Sequence, residues 1–222
     1  AQERVYRKRD FRTGAAYAGQ WRGNMRDGFG TQTWPDGASY SGQWQHGVAS
    51  GLGMFRHGNG DQFVGEWRRN MAHGKGVYRH LRERTTYAGE FVDDLQEGSG
   101  VETLEGRPRY VGQFRRGGKH GLGVHTWPDG ATYAGRWRAG HSEGAGAYAG
   151  GDGQLFWGLW RGSVMHGPGQ CVWPDGRRYD GQHVDDKKQG FGVFTWTDGR
   201  RYEGYWRAGR QHGSGRLHVE DG

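Results

Sequence analysis

Large and small side chains alternate from Tyr17 to Arg22, with Tyr17, Gly19 and Trp21 on one side and Ala18, Gln20 and Arg22 on the other. A period of two predicts a β-strand. A polar loop, residues 23–27, is expected to follow, and Gly28-Phe29-Gly30 opens a second strand that runs to Trp34. Pro35-Asp36-Gly37 closes it. Proline presets the turn's backbone angle, aspartate tolerates the turn, and glycine takes the positive φ that reverses the chain. Tyr40 then starts the pattern again. Each unit predicts a β-hairpin, joined to the next by the same kind of turn.

The leading aromatics are Tyr17, Tyr40, Phe63, Tyr87, Tyr110, Tyr133, Phe156, Tyr179 and Tyr202, spaced by 23 residues with a single step of 24. A Gly-x-Gly pair begins 11 residues after each, from Gly28/Gly30 to Gly213/Gly215. Trp-Pro-Asp-Gly closes the second strand at 34–37, 127–130 and 173–176, and Trp-Thr-Asp-Gly at 196–199. A fixed period in this range marks a repeat array. The predicted fold is all-β: an elongated, twisted, single-layer antiparallel β-meander of nine 23-residue hairpins over residues 17–222. Glycine weakens a strand unless something packs over its bare backbone, so each ring is expected to lie across a glycine of the neighbouring strand. At roughly 4.8 Å per strand the array predicts a rod of about 85 Å, wound by strand twist. Residues 1–16 read as the end of a preceding divergent or truncated repeat, with Val5 and Arg7 where the glycine pair would stand. Their basic run, Arg4–Arg12, is open to two readings, a frayed terminus or an anion-binding arm.

Composition supports an array over an ordinary globule. Glycine accounts for 46 of 222 residues, while 11 Trp, 11 Tyr and 9 Phe replace the usual aliphatic core. The net charge of +7 favours anionic partners without naming one. Cys171 is the single cysteine, which rules out an internal disulfide and a cysteine-based zinc cluster and fits a reducing compartment. No apolar run approaches the length of a membrane-spanning helix. The chain does not begin with Met, and it reads as a fragment of a longer protein of the cytoplasm.

Tyr-x-Gly-x-Trp, then His-Gly-x-Gly, then Asp-Gly resembles the MORN (membrane occupation and recognition nexus) repeat. Lys119-His120-Gly121-Leu122-Gly123 and Met71-Ala72-His73-Gly74-Lys75-Gly76 carry its middle segment. The resemblance covers residues 17–222. It implies arrays of hairpins with no catalytic centre, acting as scaffolds, protein-binding modules and membrane-associated adaptors. A chain made almost wholly of such repeats is similar to the MORN-only proteins of protist cytoskeletons, which self-associate. Repeats 3 to 5 depart from the pattern. Repeat 3 ends in His80-Leu81-Arg82-Glu83-Arg84 without Asp-Gly, and Phe91 and Phe114 stand where Trp is usual. A kink or altered twist is expected between residues 80 and 115. His183 also occupies the Trp column, removing an aromatic ring from the apolar face.

Four surfaces are candidates. The aromatic face (Tyr17, Trp21, Tyr40, Trp44, Phe63, Trp67, Tyr133, Trp137, Phe156, Trp160) would be partly uncovered in a single layer, and a long exposed aromatic surface marks a binding site for an amphipathic helix or a second copy. The alternative is that these rings pack only on glycines and on one another. Arg22, Arg68, Arg115, Arg138, Arg161 and Arg207 follow the strand-one aromatic in six repeats. This row meets anionic phospholipids, including phosphoinositides, or is a solvated row that blunts edge pairing. Tyr202, Tyr205, Trp206 and Leu217 form a candidate dimer edge for an end-to-end homodimer through residues 190–222. The histidines preceding glycine pairs (His73, His120, His166, His212) lie too far apart to share one ion and are expected to hold loops. His141 with Glu143, or His183 with Asp185, would give only part of a metal site. Asp93-Asp94 and Asp185-Asp186 are expected to be solvated. No nucleotide loop, nucleophile motif or nucleic-acid surface emerges. The expectation is a non-enzymatic scaffold with no cofactor and no metal, self-associating, binding cytoskeletal or adaptor proteins, with an anionic membrane as the alternative partner.

Overall fold

The computed structural model describes residues 3–219, the side chain at 108 aside. Residues 1 and 2 of the segment before the first repeat, and residues 220–222 of the last repeat and of the expected dimer segment, lie outside the described residues. Two compact units result, one of Ala1–Arg109 with Phe114–Gly117 and one of Tyr110–Gln113 with Gly118–Gly222. The first is a meander of β1 (Val5–Asp10), β2 (Ala16–Arg22), β3 (Met25–Thr33), β4 (Ser39–Gln45), β5 (Val48–Arg56), β6 (Gln62–Arg68), β7 (Met71–His80), β8 (Thr85–Val92) and β9 (Leu95–Leu104). β10 (Arg107–Arg115) gives residues to both units. The second unit continues with β11 (Gly118–Thr126), β12 (Thr132–Arg138), β13 (His141–Ala149), β14 (Leu155–Arg161), β15 (Val164–Val172), β16 (Arg178–Val184), β17 (Lys187–Thr195), β18 (Arg201–Arg207) and β19 (Arg210–His218). Consecutive strands within each unit pair antiparallel, and no helix occurs among the described residues.

The two glycines of a pair have different jobs. In repeat 2, β4 and β5 run in register from Ser39↔Arg56 to Gly42↔Gly53, then shift so that Trp44 faces Ala49. The shift is a bulge at Gly51, whose φ of 92° suits glycine and few other residues. Gln43 bridges the bulge: its Oε1 accepts the Leu52 amide at 2.7 Å. Gln20, Glu66 and Gln113 accept the corresponding amides of Phe29, Lys75 and Leu122. Gly53 instead has ordinary angles and serves as a seat. Tyr40 lies so close over it that a β-carbon there would stand 2.6 Å from Cζ. The Tyr40 hydroxyl then donates to the Gln43 carbonyl at 3.0 Å.

Because of the bulge, the second strand starts earlier than its glycine pair suggests. β3 begins at Met25, and only Gly23-Asn24 separate it from β2. Residues 23–27 are therefore a tight turn and the first rungs of a ladder, not a polar loop. Elsewhere the turn takes positive φ at both residues, as at Arg69/Asn70 (51° and 68°) and Asp185/Asp186 (47° and 64°), the geometry that fits strand twist.

β1 plays the second strand of a preceding hairpin. Val5 faces Trp21 and Arg7 faces Gly19, as Gly28 faces Trp44 and Gly30 faces Gly42. The extra residue of repeat 3 is absorbed by β7, which extends to His80 and pairs it with Thr85. Buried Asp61 anchors this irregular turn, accepting the Leu81 amide at 3.0 Å and contacting His80 Nδ1 at 3.2 Å.

Candidate functional site

The rings form a ladder, not an open face. Trp44 meets Tyr40 edge-on at 5.0 Å and Tyr17 of the preceding repeat at 5.4 Å. Its Nε1 donates to the Gly30 carbonyl at 3.0 Å. Trp21, Trp67, Trp137, Trp160 and Trp206 make the same bond to Arg7, Gly53, Gly123, Gly146 and Gly192. Each edge-to-face pair adds about 0.5–1.5 kcal/mol beyond burial. Tyr17, Trp21, Tyr40, Trp44, Phe63, Tyr133, Trp137 and Phe156 are buried as a result, and Trp67 and Trp160 are half-buried. This corrects the expected aromatic surface: eight of its ten residues are used up in holding repeats together. Burial pushes the Tyr17 phenol up to about 12.

His183 does not break this ladder. It is buried, edge-on to Phe156 at 5.2 Å and to Tyr179 at 5.1 Å, with Nε2 3.7 Å from Cys171 Sγ. Burial lowers the imidazole below its ordinary value and raises the Cys171 thiol to about 11, so neither is poised as a nucleophile or a charged base. Asp185, the partner suggested for His183 in a metal site, instead lies 3.5 Å from His166 Nδ1. Likewise Glu143 accepts the Gly162 amide while His141 faces the Ser163 hydroxyl. No group of three potential metal ligands occurs among the described residues.

The turn residues join one repeat to the next, which composition and period did not reveal. The Asn70 amide donates to the Ala49 carbonyl at 3.0 Å, and Asn70 Oδ1 accepts the Ala49 amide at 2.8 Å. Asp94 and Asp186 clasp Ala72 and Met165 in the same way. Both carboxylates are exposed, as expected of charge in these turns, and they serve as structural acceptors as well. Asp93 is exposed but paired, to Arg68 at 3.2 Å and His73 at 3.2 Å. Asp27, Glu97 and Gln189 accept turn amides of His46, Arg116 and Ala208 at the column where other repeats place histidine.

The arginine row is mixed. Arg22 meets buried Asp27 at 3.5 Å and Arg68 meets Asp93, whereas Arg115, Arg138, Arg161 and Arg207 are exposed. The candidate dimer residues do not share one surface. Tyr202 and Trp206 belong to the buried ladder, Leu217 faces Tyr202 across β18 and β19, and Tyr205 lies on the other face against Phe191 at 5.8 Å.

That other face carries many of the exposed apolar side chains. The middle residue of the glycine pair points there, and Phe29, Leu52 and Leu122 are more than 60% exposed. Met54 stands opposite Val64, and Trp157 and Leu159 share β14, all of them exposed. The alternation of strand one contains this signal, since Val64, Trp157 and Leu159 are apolar at positions the ring face does not use.

Nine segments, residues 17–39, 40–62, 63–80, 87–105, 110–132, 133–155, 158–177, 179–200 and 202–222, match the family described as the MORN repeat. The two longest gaps between matched segments, residues 81–86 and 106–109, fall in the irregular stretch. No curated protein matches the chain. Among solved structures, the wild-type TCP10 domain of Danio rerio CPAP in complex with a peptide of Danio rerio STIL is 13% identical, with a TM-score of 0.37 over 90% of this chain and 84% of that one. The SAS-4 (dCPAP) TCP domain of Drosophila melanogaster, in complex with a proline-rich motif of Ana2 (dSTIL), is 10% identical, with a TM-score of 0.32 over 97% and 90%. Likenesses this distant carry no argument about function. The nine matched segments do settle the family: together with the hairpins they delimit, they make this chain a member of the MORN repeat family.

Proposed function

We propose that this chain is a non-enzymatic interaction scaffold that binds protein partners through the face opposite its ring ladder. The recurring tyrosines, tryptophans and glycines, together with the clasping turn residues, have structural partners, which leaves the opposite face free to engage. The observation that carries the reading is the exposed apolar set on that face, with Leu52, Met54 and Val64 in one unit and Trp157 and Leu159 in the other. Contiguous exposed apolar side chains mark an interaction surface. A photo-crosslinking residue at position 52 or 157 should join the chain to a protein in cell extract, and the product should disappear in a Met54→Ser/Val64→Ser or Leu159→Ser background. A product of twice the chain's mass would identify a second copy as the partner. Crosslinking that survives both backgrounds would sink the reading.

A second reading, attachment to an anionic membrane, is favoured by one observation. Arg115, Arg138, Arg161 and Arg207 form no ion pair among the described residues, and each basic residue near such a surface adds about 1 kcal/mol. Sedimentation with phosphoinositide-containing vesicles should be lost on changing Arg138, Arg161 and Arg207 to Glu. Recovery equal to that of neutral vesicles would discard it.

A further inference from the structure

Four rings, two of repeat 8 and one from each flanking repeat, converge on one ammonium. Lys188 Nζ lies 4.2 Å from the centroid of Phe194, 4.7 Å from Trp206, 5.0 Å from Trp173 and 5.3 Å from Tyr179. The rings themselves are spaced at 5.8 Å for Trp173–Phe194, 6.0 Å for Phe194–Trp206 and 5.4 Å for Tyr179–Trp206. Ring faces carry negative electrostatic potential, and a cage of this kind holds a cation by attraction to it.

The same four-ring set is built twice more. Around repeat 2, Trp34–Phe55, Phe55–Trp67 and Tyr40–Trp67 are spaced at 5.8, 6.2 and 5.1 Å. Around repeat 6, Trp127–Tyr148, Tyr148–Trp160 and Tyr133–Trp160 are spaced at 6.1, 6.2 and 5.1 Å. The position of Lys188, opposite the strand-one aromatic, is held there by Ala49 and Ser142. A second cation is missing too. Arg177 lies over Trp173 at 5.8 Å and pairs with Asp175 at 2.7 Å, but its counterparts are Ala38 and Ala131, so Asp36 and Asp129 form no ion pair among the described residues.

Burial records the difference. Under Lys188, Phe194 and Trp206 are each only 6% exposed. Arg26 over Trp44 at 4.2 Å, and Lys119 over Trp137 at 5.7 Å, accompany burial of those indoles as well. Behind Ala49 and Ser142, by contrast, Phe55, Trp67, Tyr148 and Trp160 are half-buried, and Trp127 is exposed. Phe91, a smaller ring, is buried behind Ala72 without such cover.

We propose that the Trp34/Tyr40/Phe55/Trp67 and Trp127/Tyr133/Tyr148/Trp160 quartets are seats for a lysine side chain of a protein partner. Its ammonium takes the place that Lys188 fills in repeat 8. The carboxylate on the adjoining turn, Asp36 or Asp129, is the unneutralised charge such a guest meets, so each seat is complementary to a cation despite the chain's net positive charge. This surface is separate from the apolar face described above and stands or falls without it.

The test uses the whole chain, 15N-labelled at the tryptophan indoles, titrated with Nα-acetyl-lysine N-methylamide and with its Nε-acetylated counterpart. Trp67 and Trp160 should shift saturably with the first probe and respond at least about fivefold more weakly to the second, which has lost its charge. Trp206 should stay silent until Lys188→Ala opens its cage. An Ala49→Lys/Ser142→Lys variant, carrying its own occupants, should lose the Trp67 and Trp160 response. If that variant does not fold, the comparison of the two probes on the unaltered chain decides. Equal response to both probes, shifts spread over all indoles, or no shift at Trp67 and Trp160 would overturn the proposal.

Discussion

Each ring in the ladder does several things at once, and they can be separated by substitution. Tyr133 lies over Gly135 and Gly146 and donates its hydroxyl to the Arg136 carbonyl at 3.0 Å. Phe63 and Phe156 fill the same place without the hydroxyl, so Tyr133→Phe should cost only the bond, about 1 kcal/mol, seen as a small drop in the unfolding midpoint. His183 is a different case. The unfolded imidazole takes up its proton near pH 6.5, while burial holds the folded one below that value. As pH falls, the unfolded chain binds the proton first, so the stability present above about 6.5 is lost progressively below it. A His183→Phe variant should therefore lose less stability than the wild type between pH 7 and 5 in denaturant titrations. Parallel pH profiles would remove His183 as the cause.

Hairpins are stitched to one another as much as they are folded. The Asn70 and Asp94 clasps reach back one repeat to Ala49 and Ala72, and Gln43 latches the bulge within its own repeat. Asp94→Ala leaves the Ala72 amide without its side-chain acceptor and should cost about 1–2 kcal/mol, read as faster hydrogen exchange at Ala72. Gln43→Ala should do the same at Leu52. Strands and seats were legible in the sequence because alternation and the 23-residue period state them directly. The bulge was not, since Gly51 and Gly53 look alike on paper and only backbone angle separates their roles. Nor were the clasps, because Gly47, Asn70, Asp94 and Gly117 share a turn position without sharing a side chain. The fate of the ring face stayed open between exposure and mutual packing for a third reason: alternation says which side a ring is on, not that the next repeat's indole will cover it.

At the scale of the molecule, each repeat completes its neighbour: one supplies a ring and a carbonyl, and the next supplies the indole that meets both. Such arrays hold together by nearest-neighbour terms, and the reading of the opposite face as the free one depends on the ladder rings packing in this way. Phe156 and Gly169 isolate that claim. A β-carbon at Gly169 would stand 2.5 Å from Phe156 Cζ and 3.1 Å from the Trp157 carbonyl oxygen, so the ring is its main obstacle. The most direct measurement is a double-mutant cycle of Gly169→Ala and Phe156→Ala by chemical denaturation. Gly169→Ala alone should cost about 1–3 kcal/mol, as an overpacked contact does. In the Phe156→Ala background most of that cost should vanish, giving a coupling of 1 kcal/mol or more. Equal costs in the two backgrounds would contradict the account.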